Sequence, residues 1–585
     1  MDALRQDQSA LPVAPPRPVS DAPRDIVGGL AAIALGIVAF LVFCGWWVLI
    51  PTNIAWLNSA DRAMHTLGWM FFRETPWGIP PGASPDLGLE LANSIGLVDG
   101  LPLFALPLKL VAAWLPQPFQ YWGYWLLLSF SLQSLFAYRI ARELGAERLM
   151  ALIAAAFVLI TPAFLFRVPM HLALSGHWVI LAGLYLYVRR TPPRLWGWPL
   201  LVGVTAGIHA YLLAMVLGLW FAAWLQRLWL SRITGRTALP ELILCAAAAG
   251  LVLWTAGFFF TGSLGSYGYG DYKLNLFWPV IRYGWSQIFP DIAHTKYDYE
   301  GLSFLGIGIL GLLAVAIATG AILRLRSAFT RAWLPLTAAL VVMMLFAFSK
   351  DLQAGGIHLV KLPLPESIEK LFSAFRSTGR FVWPLLYFIT IGIVVLVARR
   401  LPAPAAVLIA TIAFAAQTVD SEPAWHNFAK YMSPPSSTWD TGLDSPFWDR
   451  VPAAGYTRVR AIPVRSPGHD WKALSYFAVT HGMATDSAYL GRTDDTDLDA
   501  LKAKEAAVLE TGAFEPNTLY VLDVPSALAA AAHVEPDDLL SIVDRRIVFA
   551  RHGAALVDGL GISPRAVMDG GTWVPAVAYG AVSTN

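Results

Sequence analysis

The chain has 585 residues, of which 56% are hydrophobic and only 14% are charged, and it contains 24 tryptophans. A mean hydropathy of +0.54 excludes an ordinary soluble globular protein and predicts an integral membrane protein. The formal net charge of +2, without any basic block, argues against nucleic acid as a partner. Cys44 and Cys245 both lie in apolar segments, so they predict neither a disulfide framework nor a cysteine metal site.

The N-terminal residues 1–25 are polar and rich in proline, and the apolar run that follows is too long for the core of a signal peptide. We therefore expect a cytoplasmic tail and a retained first helix. Apolar runs of about 18 to 25 residues can cross a bilayer as helices. We count about eleven such runs. They lie near residues 26–50, 119–138, 149–166, 172–188, 196–208, 211–230, 240–260, 303–322, 332–348, 381–398 and 402–417. Residues 196–230 are also compatible with one long tilted helix.

Arginines collect in the short loops between these runs, and positive residues are retained on the cytoplasmic side of a membrane. This pattern predicts a cytoplasmic N-terminus within a transmembrane domain of residues 26–417. The long connections then face outward, including a first outer loop at 51–118. Residues 101–116 are apolar but short, and they contain Pro107 and Lys109, so we expect them at the outer interface.

Residues 418–585 contain more polar residues and lack long apolar runs. Their length suits a single domain. "YTRVRAIPV" and "TLYVLDV" are typical of strands, and "DLDALKAKEAAVLETG" is typical of a helix that ends at a glycine. The sequence therefore predicts a soluble α/β domain outside the membrane, for which we find no catalytic motif.

The start of the first outer loop carries the strongest candidate site. Asp61 and His65 are four residues apart, so a helix presents both on one face, with Trp69 and Phe72 continuing it. A carboxylate beside an imidazole suits a general base acting on a sugar hydroxyl. The alternative is that Asp61 caps a helix on the membrane surface and Trp69 anchors it at the interface.

Asp99 is a second acid in the same loop, although Asp99-Gly100 is also an ordinary turn sequence. Arg376 and Arg380, in "FRSTGRFVWP", are one helical turn apart before an outward-to-inward span. Guanidinium groups there suit a phosphate, and the alternative is that they anchor lipid head groups.

Histidines lie near the predicted outer ends of several spans, and ionisable residues at such depth are functional candidates. Their spacing matches no metal motif, so helix packing is the simpler interpretation of His171, His177 and His209. The outer loop 261–302 is rich in tyrosine, glycine and acids, a composition that suits carbohydrate or a flexible interfacial loop. We take the substrate-binding candidates from all these segments: His65, Trp69, Arg73, His177, His209, Tyr269, Asn275, Glu300, Arg376 and Arg380.

Four stretches carry a family resemblance: "DRAMHTLGWMFFRETPW", "PFQYWGYWLLLSFSLQSLFAYRIAREL", "HLALSGHWVILAGLYLYVR" and "AFRSTGRFVWPLLYFI". They are similar to a family of poorly characterised bacterial polytopic proteins, and the whole arrangement resembles the GT-C class of membrane glycosyltransferases. The resemblance implies an all-α polytopic fold in the bacterial inner membrane, with a periplasmic C-terminal α/β domain.

The resemblance also implies a reaction. An acid in the first outer loop, Asp61 or in second place Asp99, acts as base while a sugar moves from a polyprenyl-phosphate donor to an envelope glycan, lipid or protein acceptor, with inversion. Arg376 and Arg380 then hold the donor phosphate. The first loop lacks an Asp-x-Asp or Asp-Glu pair, so no metal or other cofactor is indicated. Two alternatives remain: a polysaccharide polymerase or ligase, and a transporter or flippase for lipid-linked glycans.

Overall fold

The computed structural model describes residues 25–565, apart from 92, 192, 261–268, 325–329, 427, 429–431, 433, 469 and 491–494. The predicted tail at 1–25 thus lies almost entirely outside the described residues. Up to residue 426 the described chain is mostly helical. Its first helices are α1 (Ile26–Cys44), α2 (Ala60–Glu74), α3 (Pro102–Leu110), α4 (Trp122–Glu143), α5 (Arg148–Leu159), α6 (Pro162–Leu165), α7 (Trp178–Val188), α8 (Gly197–Ala206), α9 (Ala210–Trp229) and α10 (Gly235–Thr255). They are followed by α11 (Ile307–Ala318), α12 (Leu334–Ala347), α13 (Glu366–Phe372), α14 (Trp383–Arg400) and α15 (Ala403–His426).

Several of these helices can cross a membrane by length and composition, which makes the chain a multi-pass membrane protein. Five are long and apolar enough: Ile26–Cys44, Ala210–Trp229, Gly235–Thr255, Thr378–Arg400 and Ala403–His426. Shorter apolar helices, among them Arg148–Leu159 and Ile307–Ala318, accompany them. The expected number of about eleven spans stays a prediction.

Two predicted runs are divided by local backbone chemistry. The run at 149–166 becomes α5 and α6, because Pro162 lacks an N–H and begins a new helix. The segment 196–230 is two helices, since His209 is extended and its Nδ1 accepts a hydrogen bond from the Tyr211 N–H at 3.1 Å. His209 therefore caps the start of α9, and residues 196–230 do not form one long helix.

The connection between α1 and α4, residues 45–121, is held to the helical part by α2, and we call it the α1–α4 connection. The indole N–H of Trp69 donates to the Phe119 carbonyl at 2.9 Å, and the Arg73 guanidinium donates to the Ala112 carbonyl at 3.0 Å and the Leu115 carbonyl at 2.9 Å. These bonds join α2 to the segment that leads into α4. They fix the position of Asp61 in the first turn of α2.

Between α12 and α13 the chain forms a two-stranded antiparallel hairpin, β1 (Asp351–Ala354) and β2 (Ile357–Lys361). The C-terminal part contains a five-stranded sheet in the order β4-β3-β5-β7-β6. Its strands are β3 (Arg458–Ile462), β4 (Ala484–Thr485), β5 (Thr518–Leu522), β6 (Leu539–Val543) and β7 (Arg546–Ala550), and its helices are α16 (Phe447–Ala453), α17 (Trp471–Thr480), α18 (Asp495–Thr511) and α19 (Val524–Ala531). β3 is parallel to β4 and β5, whereas β7 is antiparallel to β5 and β6. The strands β3 and β5 and the helix α18 lie where the sequence predicts them.

The C-terminal part docks on the α1–α4 connection through backbone and ionic contacts. The Thr485 N–H donates to the Asp86 carbonyl at 2.9 Å, and the Gly88 N–H donates to the Thr485 carbonyl at 2.7 Å. The Arg460 guanidinium also pairs with the Glu90 carboxylate at 2.7 Å. The residues that follow Thr485 are consequently held against the helical part.

Candidate active site

A cavity of about 100 Å³ lies where the α1–α4 connection, the loop before α7, the start of α9 and the segment before α14 meet. Its polar lining combines acids, histidines and arginines from parts of the chain that are far apart in sequence. These residues are Asp61, His65, Asp99, His171, His209, Tyr211, Arg376, Ser377, Arg380 and Tyr489.

Asp61 and His171 form the closest acid–imidazole pair in this cavity. The Nδ1 of His171 lies 2.6 Å from Oδ2 of Asp61, and both side chains are about one-fifth exposed, at 21% and 22%. Burial raises the pKa of Asp61, but the hydrogen bond from His171 and its positive charge outweigh burial, so the pKa lies below its usual value. Burial lowers the pKa of His171, but hydrogen bonds to Asp61 and Glu300 raise it above its usual value. Both shifts favour the charged forms of the pair, a carboxylate beside an imidazolium.

A buried carboxylate holds this pair in place. Glu300 is only 4% exposed, and its Oε2 lies 2.9 Å from Nη1 of Arg167 and 2.7 Å from Nη2 of Arg380. Burial raises its pKa, but the two guanidinium charges carry it well below the usual value. The other carboxylate oxygen lies 3.7 Å from Nε2 of His171, so Glu300 orients the imidazole that contacts Asp61.

A tight backbone contact places Arg380 beside Glu300. Arg380 belongs to the short 3₁₀ helix Thr378–Val382, and Glu300 to the 3₁₀ helix Asp298–Gly301. A Cβ at Gly379 would lie 2.8 Å from Cα of Gly301, closer than side-chain carbons approach a backbone. Glycine at 379 lets the two segments touch and brings the guanidinium to the carboxylate.

Asp99 and His209 form a second acid–imidazole pair at the cavity. Oδ1 of Asp99 lies 3.5 Å from Nε2 of His209, and Asp99 has a φ of 49°, as expected for a tight turn before Gly100. His65 is oriented differently from the sequence expectation, because its Nδ1 lies 2.8 Å from the Val98 carbonyl oxygen. Burial lowers the pKa of His65, which leaves this imidazole neutral. Asp61 therefore has His171 as its hydrogen-bonding partner, although the i, i+4 spacing suggested His65.

The C-terminal part contributes one aromatic residue to the cavity. Tyr489 lines it, and its phenol hydrogen-bonds with the guanidinium of Arg376. The residues on either side are fixed, since the Ser475 hydroxyl donates to the Ser487 carbonyl and the Leu490 N–H donates to the Ser466 hydroxyl at 2.8 Å. Arg376 thus lies between the helical part and the C-terminal sheet domain.

Six sequence-predicted substrate contacts lie outside the cavity lining. Glu300 is one of them and contacts the cavity through His171 and Arg380, as described above. The other five are Trp69, Arg73, His177, Tyr269 and Asn275. Trp69 and Arg73 bond the backbone as described above. The Nδ1 of His177 lies 2.5 Å from the Tyr387 hydroxyl, which agrees with helix packing, and Asn275 donates to the Gly355 carbonyl at 2.8 Å. Tyr269 packs near the ring of Phe372, with centroids 6.2 Å apart. Their polar groups are used within the fold, so the structure does not bring them to Asp61.

Five polar or charged residues of the site are absent from the sequence-predicted catalytic and substrate-binding residues: Tyr211, Ser377, His171, Arg167 and Tyr489. His171 was assigned to helix packing, which the contact with Asp61 corrects. A signal for Arg167 existed, because an arginine between two spans on the predicted outer side departs from the positive-inside pattern. Tyr489 had no local signal, since only the docking of the C-terminal part brings it to the cavity.

Comparisons with known proteins place the chain in one family and find similar solved structures. A family model described as "Domain of unknown function (DUF6311)" matches residues 33–422, and one described as "DUF6311 C-terminal domain" matches residues 447–551. The chain is also similar to crystal structures of ArnT from Cupriavidus metallidurans, one bound to undecaprenyl phosphate and one in the apo state. For each, the identity is 13%, the match covers 90% of this chain and 98% of that chain, and the TM-score is 0.42. No curated protein matches the chain.

The Glu300→Gln substitution is expected to destabilise the protein, because it leaves the buried Arg167 and Arg380 without their counter-charge. Removing one partner of a buried ion pair costs about 3–5 kcal/mol. The matched control is Glu422→Gln, which breaks the exposed pair between Glu422 and His426 and is expected to cost at most about 0.5 kcal/mol. Thermal unfolding of both variants in detergent measures the difference, and equal melting temperatures would show that Glu300 does not stabilise the site.

Proposed function

The chain belongs to the DUF6311 family, and we propose that it is a membrane glycosyltransferase that moves a sugar from a polyprenyl-phosphate donor to a hydroxyl acceptor at the outer face of the membrane. One observation carries the proposal: the Asp61–His171 pair shares a single cavity with Arg376 and Arg380. The pair supplies a base for a hydroxyl group, and the arginines supply cations for a phosphate.

The reaction proposed for this cavity is a single displacement. The acceptor hydroxyl gives its proton to the Asp61 carboxylate, and its oxygen forms a bond to the anomeric carbon. The bond from that carbon to the phosphate oxygen breaks, and its electron pair stays with the phosphate. Attack opposite to the leaving group inverts the anomeric centre.

The environment of Asp61 suits the role of base in this displacement. Its lowered pKa keeps the carboxylate ionised and able to accept a proton at neutral pH. A carboxylate of low pKa is a weak base, so we expect proton transfer to accompany formation of the new bond instead of preceding it. His171 acts as a positioning residue, because it touches Asp61 and is itself oriented by Glu300.

The two arginines at the cavity have different environments. Arg380 is paired with Glu300 through Nη2 at 2.7 Å and Nε at 2.9 Å, so much of its charge is already balanced. Arg376 contacts neutral groups, the Tyr489 phenol and the ring of Tyr272 at 5.6 Å. We therefore assign the donor phosphate mainly to Arg376, with Arg380 as a second cation that gains importance as negative charge develops on the leaving group.

The alternatives differ in what they require of this site. Asp99 is the second candidate base, since it lies 3.5 Å from His209 in the same cavity. A polymerase or ligase would use the same groups on a preformed glycan. Transport requires a polar path across the membrane, and the grouping of acids, histidines and arginines in one cavity favours transfer instead. The mechanism invokes no metal ion, and the one cluster of described acids and histidine whose ligand atoms converge, Asp537, Asp538 and His552, does not line this cavity.

Asp61→Asn is expected to lower the transfer rate by about 10²- to 10⁴-fold, because the amide cannot accept the hydroxyl proton. The assay measures transfer of radiolabelled sugar from a panel of polyprenyl-phosphate donors to envelope extracts. Asp449→Asn, which changes an acid that is 86% exposed and outside the cavity, is the matched control. Undiminished transfer by a folded Asp61→Asn protein would move the base to Asp99 or another group.

His171→Gln is expected to shift the acidic limb of the pH profile for kcat/KM to higher pH. Burial raises the pKa of Asp61 and His171 lowers it, so the pKa of Asp61 rises when His171 is removed. Activity that needs the ionised carboxylate is then lost earlier as the pH falls. His481→Gln, in the C-terminal part, should leave the limb in place. An unchanged acidic limb in His171→Gln would show that the imidazole does not influence the pKa of Asp61.

Arg376→Ala is expected to lower the transfer rate by about 10²- to 10³-fold, the typical effect of removing one group that stabilises a developing anion. Arg331→Ala, at an exposed arginine outside the cavity, should keep wild-type activity. The same radiolabelled-sugar assay measures both variants. If Arg376→Ala turns over normally, the donor phosphate is held elsewhere.

A further inference from the structure

A second cavity lies on the seam between the helical part and the C-terminal part. Its volume is about 330 Å³, within the usual range of about 300–1,000 Å³ for small-molecule sites. We call it the seam groove, and the residues that define it for the argument are Asn58, Trp439, Asp440, Asp470, Trp471 and Lys472.

The seam groove and the catalytic cavity are neighbours along two routes. Asn58 precedes Asp61 by three residues, so their Cα atoms are at most about 11 Å apart. The ring of Trp471 contacts the ring of Tyr489 edge to face, with centroids 5.7 Å apart, and Tyr489 lines the catalytic cavity. The two cavities are therefore neighbours, close enough for an elongated ligand in the groove to reach toward Asp61.

The lining of the groove combines an aromatic surface with acidic and basic side chains. Trp471 is partly exposed, whereas Trp439 is buried, stacks on Tyr476 with centroids 5.0 Å apart, and donates its indole N–H to the Ile54 carbonyl at 2.7 Å. Trp439 thus forms a rigid wall, and Trp471 is the ring available to a ligand. Exposed carboxylates of Asp440 and Asp470 lie beside it and accept hydrogen bonds from hydroxyl groups.

The charge of the groove distinguishes it from the catalytic cavity. It presents two carboxylates and the ammonium of Lys472, and Asp470 is already paired with Arg546 at 3.1 Å. A phosphate would face the carboxylates without a cluster of arginines like that of the catalytic cavity. A lipid chain would strip water from these charges and give them no partner. A neutral sugar has hydroxyls for the carboxylates and a C–H face for the indole.

We propose that the seam groove binds the neutral carbohydrate part of the acceptor and directs its hydroxyl toward Asp61. This assignment of an acceptor rests on the glycosyltransferase function proposed above. It gives the C-terminal part a role in substrate choice, since Trp471, Asp470 and Lys472 all come from that part. It also predicts that acceptors longer than one sugar bind better than single sugars.

Saturation-transfer difference NMR on the full chain in nanodiscs tests the groove without needing turnover. The probes are neutral oligosaccharides, namely cellotetraose, maltotetraose and mannotetraose. We expect at least one to bind, with an affinity that falls by about fivefold or more in Trp471→Ala. Trp114→Ala is the control, because Trp114 is 82% exposed and lies outside the groove. Asp440→Asn, which keeps an oxygen to accept the Gly442 N–H, should also weaken binding and guards against misfolding of Trp471→Ala.

The outcomes separate this proposal from the function on which it rests. Binding that depends on Trp471 and Asp440 and persists in Asp61→Asn supports the groove even if every donor assay fails. The assignment of the groove to carbohydrate is overturned if none of the three probes binds. It is also overturned if wild type, Trp471→Ala and Asp440→Asn bind equally, even where Asp61-dependent transfer is found. Displacement of the oligosaccharide by inorganic phosphate also overturns it, because the groove would then hold an anion.

Discussion

The geometry of the candidate site depends on one buried ionic contact, the carboxylate of Glu300 between the guanidinium groups of Arg167 and Arg380. A carboxylate that is only 4% exposed is stable in its charged form only when cations and hydrogen bonds replace the lost water. The three residues come from three separate connections between helices, so the contact joins these connections. It also orients His171, and through His171 it determines where the oxygen of Asp61 lies.

The docking of the C-terminal part completes the lining of the cavity that the ionic contact at Glu300 positions. Backbone pairing of Thr485 with the α1–α4 connection and the ion pair between Arg460 and Glu90 hold the C-terminal part against the helices. This contact closes the cavity with Tyr489 and forms the seam groove beside it. Both spaces contain carboxylates, but Arg376 and Arg380 line only the cavity, so the cationic groups that suit the proposed phosphate-bearing donor lie there and not in the groove.

Two acid–imidazole pairs in one cavity raise the question of which acid reacts. Asp61 has the closer contact, 2.6 Å to His171 against 3.5 Å from Asp99 to His209, and only its imidazole is also held by Glu300. A base needs an orientation that its neighbours maintain while substrate binds. The connected chain from Arg380 to Asp61 provides that support, which is why we place the proton transfer at Asp61.

Composition and local pattern were enough to predict a multi-pass membrane protein, the strands β3 and β5, and the candidates Asp61 and Arg376. Apolar run length and side-chain period are properties of neighbouring residues, and they survive in any fold. Local pattern does not predict the partner of Asp61. The spacing indicates His65, but His65 contacts the Val98 carbonyl, and the partner is His171 from a remote loop. Such choices depend on which segments approach one another in three dimensions. Only tertiary packing decided the pairing of Glu300, the entry of Tyr489 into the cavity and the seam groove, because each requires a contact between residues that no helical or strand period relates.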